Sequence, residues 1–380
     1  MSLTQITVLT VNWAGSYGGA EKYQHTMIEG FDQSRYRFIF ASPPGEWPQR
    51  LRAAGYRQFD VPLRPGLDIT SVLLLRRIIE QEKVAIVHAL QSRSLLQAGL
   101  AARLCGRVGV VQTEYNITMN WYRSGQYPWY VRLINNPARR LVVHVLADHI
   151  ISLGQSGKDY YTQILHVPDH KVSVIPGPHP LPPERPAPAN PQPIIGTAAE
   201  LTERKGLTYL IDAAPIVLAR YPGAQFLIMG RGHLEQRLKQ QIAEHHLEQS
   251  IHMPGFVPDA AERMAGWDVF VLPSLSDLYP RAILEAMAQG LPVVATQVDG
   301  AREMIVHGET GFLVPPGDAE ALGQAILRVL DDRSLAHQMG QRARQRIAEV
   351  HNVAGVVQQI EAVYRQVLAK YHRETNDAGG

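Results

Sequence analysis

The chain has 380 residues, of which 45% are hydrophobic and 19% are charged. This length exceeds what a single hydrophobic core usually supports, so we expect two domains, and the composition excludes a disordered or fibrous protein. Lysine and arginine (37 residues) nearly balance aspartate and glutamate (35 residues), and the net charge of +2 gives no general attraction to nucleic acid.

The first residues, MSLTQITVLTVN, place no basic leader before the apolar stretch, and no run reaches the roughly 18 apolar residues of a membrane span. The single cysteine, Cys105, stands in the apolar helical run LLQAGLAARLC, where a small buried side chain fits. These features predict a cytoplasmic protein.

Short runs rich in β-branched residues alternate with helical patterns, which is typical of a parallel α/β sheet. In the first half these runs begin at Gln5, Arg37, Val84, Val108, His149 and Val172. In the second half they begin at Pro193, Gln225, Ser250, Asp268, Pro292 and Phe312. Three helical patterns follow Asp318, and the last carries an apolar stripe that must pack on another surface. The stripe consists of Val356, Ile360, Val363 and Val367.

Nine of the 26 prolines fall between residues 176 and 193, where neither a helix nor a sheet ladder can continue. We therefore predict an α/β protein with two Rossmann-like parallel-sheet domains. Residues 1–177 form the first domain, 178–193 a linker, 194–354 the second domain, and 355–380 a final helix with a tail.

The first strand ends in a glycine-containing turn that includes Gly18, Gly19 and Glu21 and leads into a helix. Such a turn lets backbone N–H groups and the positive end of a helix approach a phosphate or another anion. Simple packing geometry is an equal alternative for this motif alone. It lacks the Gly-x-Gly-x-x-Gly pattern and the acidic partner of a dinucleotide site, which disfavours an NAD enzyme.

The most informative segment runs from Pro273 to Ile305, PSLSDLYPRAILEAMAQGLPVVATQVDGAREMI. It predicts a buried strand, a polar loop, a helix that begins near Pro280 and ends at Gly290, and another strand. Asp277 in the loop and Glu285 in the helix could face the same ligand. The main chain from Leu278 through Tyr279 to Arg281 would then meet a diphosphate, and Glu285 could accept hydrogen bonds from ribose hydroxyls. The alternative is two solvated carboxylates.

The spacing of Asp277 and Glu285, followed by GLPVVAT, resembles the signature of the retaining glycosyltransferases of the GT-B fold, family 4. That signature is Glu, seven residues, Glu, and then a Gly-x-Pro-Val-Val strand. The resemblance covers nearly the whole chain, because four further segments match in the same order. They are the turn from Gly18 to Glu21, GTAAELTERKGLTYLIDA from Gly196, MGRGHLEQRL from Met229 and MPGFVPD from Met253.

This resemblance implies that the second domain holds a nucleotide-diphosphate sugar, that the first domain holds a hydroxyl acceptor, and that the cleft between them is the active site. Lys205 matches the lysine that neutralises the diphosphate, Glu285 matches the residue that holds the ribose, and main chain at Phe256 and Val257 matches the segment that contacts the base. Gly230 and Arg231 match a further donor-binding turn. The final helix is expected to cross back to the first domain.

The same resemblance implies transfer with retention of configuration, because the leaving diphosphate takes the acceptor proton on the same face of the sugar. Cationic side chains would stabilise that leaving group, so no metal and no cofactor are expected. No Asp-x-Asp pair or cluster with metal-ligand spacing stands at a strand end.

Three positions depart from the family pattern. Tyr115 replaces a histidine, and its phenol can hydrogen-bond a sugar hydroxyl but is a poor base near neutral pH. Glu200 replaces an arginine and is expected to face solvent, with Arg204, Arg231 or Arg281 as possible substitutes. Asp277 shortens the first glutamate of the signature, and Leu278 follows where glycine is common.

The segment from Trp121 to Arg140 mixes aromatic residues with four arginines. It could lie against an anionic membrane and bring a lipid-linked acceptor to the site, although a partly buried aromatic cluster is an equal alternative. For His144, His149, His166, His245 and His246 we expect solvated or core positions rather than a metal site.

A role in polysaccharide or cell-envelope glycan synthesis follows from the resemblance alone. Two other functions stay open. One is a nucleotide-sugar-binding partner protein that has lost transfer, which the three departures motivate. The other is a sugar-nucleotide epimerase or a phosphorylase with the same architecture.

Overall fold

The computed structural model describes residues 5–115, 129–184, 190–258 and 260–377. The chain forms two compact units, one made of Met1–Pro178 together with Val353–Gly380 and the other of His179–Asn352. We call them the N-terminal and the C-terminal unit. The final helix therefore belongs to the N-terminal unit.

The N-terminal unit contains a seven-stranded parallel sheet in the order β3-β2-β1-β4-β5-β6-β7. Its strands are β1 Ile6–Asn12, β2 Tyr36–Ser42, β3 Arg57–Asp60, β4 Ile86–Leu90, β5 Gly109–Glu114, β6 His149–Ser152 and β7 Val172–Val174. Its helices are α1 Gly19–Glu29, α2 Glu46–Ala53, α3 Ile69–Gln81, α4 Ser92–Cys105, α5 Trp129–Leu146, α6 Gln155–Asp159 and, at the C-terminus, α14 Val353–Asp377.

The C-terminal unit contains a six-stranded parallel sheet in the order β10-β9-β8-β11-β12-β13. Its strands are β8 Ile194–Ala198, β9 Gln225–Met229, β10 Ile251–Gly255, β11 Val269–Leu272, β12 Val293–Thr296 and β13 Gly311–Val314. Its helices are α7 Leu207–Arg220, α8 Glu235–Glu244, α9 Ala260–Met264, α10 Arg281–Ala288, α11 Asp299–Met304, α12 Ala319–Asp331 and α13 Arg333–Val350.

The predicted fold class is confirmed, because both sheets are parallel and carry helices between successive strands. Each predicted strand is present. Buried β-branched residues such as Val8, Val110 and Val271 fill both faces of the sheets. The strands are therefore recognisable in the sequence as short β-branched runs. Strand β3 was not predicted, since its residues RQFD contain one apolar side chain and the strand pairs with β2 alone at the edge of the sheet.

Helix α14 packs its apolar stripe on the N-terminal unit, and Val356, Ile360, Val363 and Val367 are all buried. Its C-terminal end is held by the buried carboxylate of Asp148. This carboxylate accepts hydrogen bonds from the Lys370 ammonium and the Tyr371 hydroxyl, each at 2.7 Å. Burial alone would raise the pKa of Asp148, but these partners, with Arg103 at 3.0 Å, hold it below its ordinary value.

Cys105 is the last residue of α4 and is partly exposed, so the expectation of a buried side chain was wrong. Burial nevertheless raises the pKa of the Cys105 thiol.

A buried histidine joins two strands of the N-terminal sheet to α14. His88 on β4 shares hydrogen bonds with the Tyr364 hydroxyl (2.7 Å) and with the Thr113 hydroxyl on β5 (2.6 Å). Burial lowers the pKa of His88 to about 3. Burial, with help from His170, lowers the pKa of His149 on β6 to about 4. Both imidazoles are therefore neutral in the folded protein.

We predict that the free energy of unfolding falls as the pH is lowered from 6.5 to 4.5. In this window the unfolded chain binds protons with the ordinary histidine pKa of about 6.5, whereas folded His88 stays neutral and folded His149 begins to bind a proton only at the lower end. The expected slope approaches about 1.4 kcal/mol per pH unit for each histidine near the middle of the window. Urea unfolding at several pH values measures it, and His88→Gln should roughly halve the slope. A flat profile in this window would contradict the prediction.

Candidate functional site

The C-terminal sheet has its topological switch point between β8 and β11. From β8 the chain continues to β9 and β10 on one side, and from β11 it continues to β12 and β13 on the other. In parallel α/β sheets, ligands bind in the crevice at the carboxyl ends of two such strands. The crevice here is formed by the loop after β8, residues 199–206, and the loop after β11, residues 273–280. We call them the β8 loop and the β11 loop.

The two loops are packed tightly against each other. The Arg204 carbonyl accepts hydrogen bonds from the N–H groups of Leu275 (2.8 Å) and Ser276 (3.3 Å). Gly206 has φ +60°, and a Cβ at this residue would lie 2.1 Å from the Pro273 carbonyl oxygen. Glycine is thus needed at position 206 both for its backbone conformation and for the close approach of the loops.

This packing brings two cations onto one carboxylate. The Lys205 ammonium forms an ion pair with Asp277, and both side chains are mostly buried. The Arg204 guanidinium lies 3.5 Å from the other oxygen of the same carboxylate and donates to the Ser276 carbonyl at 3.2 Å. Two positive charges balanced by a single negative charge leave an excess that can attract an anion.

Helix α10 begins at Arg281, four residues after Asp277, and Pro280 occupies its N-cap position without a side-chain hydrogen bond. Its partial positive end therefore lies next to the β11 loop. Glu285 is one turn into the helix, with an oxygen 3.7 Å from the Arg281 Nε, and both side chains are largely buried. The buried neighbours Ile283 and Leu284 pack into the hydrophobic core and anchor the helix.

The turns after β9 and β10 extend the site. Gly230 has φ +151°, and a Cβ there would lie 1.8 Å from the Ala199 carbonyl oxygen of the β8 loop. The carbonyl of the next residue, Arg231, accepts a hydrogen bond from the Leu201 N–H at 2.9 Å, and the Arg231 guanidinium lies 5.7 Å from the Phe256 ring centroid. Phe256 is exposed, and Val257 is half-buried.

Other predicted residues occupy the β11 loop. Tyr279 is half-buried, and its hydroxyl lies 3.5 Å from the His351 Nδ1. Sequence reasoning gave Gly300 no role, yet its N–H donates to the Asp277 carbonyl at 3.2 Å, and a Cβ there would lie 2.8 Å from the Leu278 carbonyl oxygen. The sequence signal for this role is the position of Gly300 at the start of the helix in the segment VDGAREMI.

Glu200 is exposed on the β8 loop, as expected. Of the three arginines considered as substitutes for the missing cation, Arg204 alone shares a carboxylate with Lys205. Arg231 lies over Phe256, and Arg281 is beside Glu285.

Gly18, Gly19, Glu21 and Tyr115 lie in the N-terminal unit. The Glu21 carboxylate accepts a hydrogen bond from the Gly18 N–H at 3.0 Å and so caps α1. Burial raises the pKa of Glu21. In this structure Glu21 therefore orders the turn at Gly18 and Gly19.

Tyr115 follows β5 and is buried, with its ring centroid 5.3 Å from that of Tyr23 on α1. Burial raises the pKa of Tyr115 well above its ordinary value, and the nearby Glu21 and Glu114 act in the same direction. The side chain is thus a neutral phenol, which agrees with its expected inability to act as a base.

Among the residues that the structure describes, no three or more His, Cys, Asp or Glu side chains are grouped as a metal site would require. None of the helices in the described ranges is long and apolar enough to cross a membrane. Most of the arginine-rich segment from Trp121 to Arg140 lies outside the residues whose side chains are described.

Comparison with known proteins agrees with this geometry. The family model Glycosyltransferase Family 4 matches residues 17–180, and the model Glycosyl transferases group 1 matches residues 183–346. HepE of Anabaena, crystallised in complex with UDP, superimposes with a TM-score of 0.80 over 95% of this chain and 100% of that chain, at 21% identity. The two Rossmann-like units are those of the GT-B fold.

Two curated relatives add sequence evidence. A UDP-Gal:α-D-GlcNAc-diphosphoundecaprenol α-1,3-galactosyltransferase of Escherichia coli is 27% identical over 78% of this chain and 79% of the relative. The amylovoran biosynthesis glycosyltransferase AmsK of Erwinia amylovora is 40% identical over 36% of this chain and 35% of the relative. Alignments to several other relatives span about half of their length or less. Because the two family models together match most of the chain, it belongs to the group 1 glycosyl transferases of family 4.

We predict that Gly206→Ala lowers the free energy of unfolding by clearly more than Gly308→Ala. Both glycines have positive φ, so each substitution carries a backbone cost of about 1 kcal/mol. Only at Gly206 must a loop move to admit the Cβ, because at Gly308 the space is open. Urea unfolding of the two variants gives the comparison. Equal decreases in the free energy of unfolding would show that the close contact between the β8 and β11 loops does not contribute to stability.

Proposed function

We propose that this protein is a retaining, metal-independent glycosyltransferase that moves a sugar from a nucleotide-diphosphate sugar to a hydroxyl acceptor. The observation that carries the proposal is the convergence of Lys205 and Arg204 on Asp277 at the switch point of the C-terminal sheet, beside the N-terminus of α10. A diphosphate brought to these groups would meet two cations and a helix end.

Glu285 supports the same ligand. It lies in the second turn of α10, close to the N-terminus that would face the diphosphate, and its side chain is held beside Arg281. In the proposal its carboxylate accepts hydrogen bonds from the ribose hydroxyls. The main chain around Phe256 and Val257 then contacts the base, with Arg231 lying over the Phe256 ring.

In the proposed reaction the bond from the anomeric carbon to the diphosphate oxygen breaks. The acceptor oxygen bonds to the same carbon on the same face, and the acceptor proton passes to the leaving diphosphate. No protein nucleophile is needed, so the rate depends on how well Lys205, Arg204 and α10 stabilise the charge of the leaving group. In the proposal Tyr115, as a neutral phenol, contributes a hydrogen bond rather than base catalysis.

Polysaccharide or cell-envelope glycan synthesis is the proposed setting. It is supported by relatives whose names specify amylovoran biosynthesis and transfer to a diphosphoundecaprenol-linked sugar. A lipid-linked acceptor would place this protein at the cytoplasmic face of a membrane. The exposed side chains Leu141 and Val145, beside the exposed Arg140 on α5, form a surface that could contact anionic lipid.

We predict that one nucleoside diphosphate among UDP, GDP, ADP and TDP raises the thermal unfolding midpoint by about 5 °C or more at saturating concentration. A ligand that binds only the folded protein at 100 times its Kd adds about 2.7 kcal/mol. Lys205→Ala and Glu285→Ala should each remove most of this shift and abolish transfer. The control Lys239→Ala, which removes an exposed lysine paired with Glu235, should keep both.

Several outcomes separate the alternatives. A diphosphate that binds without transfer to any acceptor extract would favour the partner-protein function, and dependence on free phosphate would favour a phosphorylase. For the proposed enzyme, EDTA should leave the transfer rate unchanged, and the product should keep the anomeric configuration of the donor. Transfer at the wild-type rate by Lys205→Ala or Glu285→Ala would contradict the site.

We further predict that the protein sediments with vesicles containing phosphatidylglycerol and that the double substitution Leu141→Gln with Val145→Gln weakens this binding at least tenfold. These side chains are 65% and 56% exposed, and burying an aliphatic side chain contributes about 1.5–3 kcal/mol. Leu181→Gln, at a side chain that is 43% exposed in the C-terminal unit, is the matched control. Equal binding by the double variant and the wild type would show that α5 does not contact lipid.

A further inference from the structure

Three hydroxyl groups near the switch point of the C-terminal sheet are buried without a hydrogen-bond partner among the described residues. They belong to Thr197, Thr202 and Ser274, and both Thr197 and Ser274 are 0% exposed. An unsatisfied buried hydroxyl costs about 1–3 kcal/mol, so such groups are rare and need an explanation. By contrast, the buried Thr296 hydroxyl in the same unit donates to the Leu272 carbonyl at 3.3 Å.

Thr202 shows the anomaly most clearly. It precedes the helical turn Glu203–Lys205 with extended backbone (φ −132°, ψ 159°), which is the N-cap position. A threonine at this position usually accepts a hydrogen bond from an N–H of the following turn. The Thr202 side chain makes no such bond, so capping does not account for its buried hydroxyl.

Ser274 and Thr202 lie on the two loops that hold the charged groups. Ser274 stands between Pro273, whose carbonyl approaches Gly206, and Leu275, whose N–H donates to the Arg204 carbonyl at 2.8 Å. The β8 loop from Thr202 to Gly206 is therefore packed directly along the residues that flank Ser274. Lys205 and Arg204 belong to the same stretch.

We propose that the Ser274 and Thr202 hydroxyls are phosphate-binding groups that donate hydrogen bonds to oxygens of the donor diphosphate. The ligand is a nucleoside diphosphate whose negative charge is balanced by Lys205 and Arg204, so this inference rests on the proposed function. Because Ser274 is fully buried, its hydroxyl reaches the diphosphate only if the β8 and β11 loops move apart when the ligand binds.

Substitutions that remove only the hydroxyl test this inference, namely Ser274→Ala and Thr202→Val. Each should weaken binding of the nucleoside diphosphate, and of inorganic pyrophosphate, by about tenfold or more, because a hydrogen bond to a charged group contributes about 1.5–3 kcal/mol. Affinity for the corresponding nucleoside without phosphate should not change. Isothermal titration calorimetry with the full chain and these three ligands gives the comparison.

The inference also predicts how loss of the hydroxyl changes the stability of the protein without ligand. Without ligand, Ser274→Ala should unfold at the wild-type temperature or up to about 4 °C above it, because it removes an unsatisfied hydroxyl from the interior. The control Thr10→Val removes a buried hydroxyl that donates to the Ile39 carbonyl at 3.2 Å in the N-terminal unit. It should lower the unfolding temperature and leave diphosphate affinity unchanged.

The other possible outcomes distinguish failure of this inference from failure of the proposed function. Unchanged diphosphate affinity in both variants, with the wild type binding normally, would overturn this inference and leave the proposed function intact. A lower unfolding temperature with unchanged affinity would show that the hydroxyls serve the folded structure, for instance by holding an ordered water, and would also overturn it. A wild-type protein that binds no nucleoside diphosphate would overturn the proposed function itself.

Discussion

The site of the C-terminal unit depends on the close contact between its β8 and β11 loops. The Arg204 carbonyl bridges two N–H groups of the β11 loop, and the missing side chain at Gly206 lets the Pro273 carbonyl approach. Because of this contact, Lys205 lies against Asp277, although 72 residues separate them in sequence. Where the strand order of a parallel sheet reverses, the loops of two adjacent strands border a crevice, so topology and local backbone conformation together create the charge cluster.

The two units use their carboxylates differently. In the C-terminal unit, Asp277 pairs with two cationic side chains, Lys205 and Arg204. In the N-terminal unit, Glu21 caps α1, and Asp148 holds the end of α14. In the proposed reaction, these cationic side chains supply the charge stabilisation of the leaving diphosphate that a metal ion can supply in other transferases. The proposed chemistry therefore belongs mainly to the C-terminal unit.

Much of this arrangement could be predicted from the sequence, and the exceptions have physical causes. Strands such as β1 and β11 are legible because they are buried on both faces, whereas β3 is a polar edge strand. Asp277 and Glu285 were found by their spacing, and Lys205 by the resemblance to the family. The hydroxyls of Thr202 and Ser274 could not be found in this way, because an unsatisfied hydroxyl is defined by partners that only the folded chain reveals. The capping bond of Glu21 likewise requires coordinates.

The most direct test of the central claim is amide hydrogen exchange of the whole protein with and without the nucleoside diphosphate that stabilises it. Our account predicts that the ligand slows exchange most strongly in residues 199–206 and 273–285, which form the β8 loop, the β11 loop and the first turn of α10. Protection confined to other parts of the chain, with these residues unchanged, would contradict the placement of the diphosphate at the switch point.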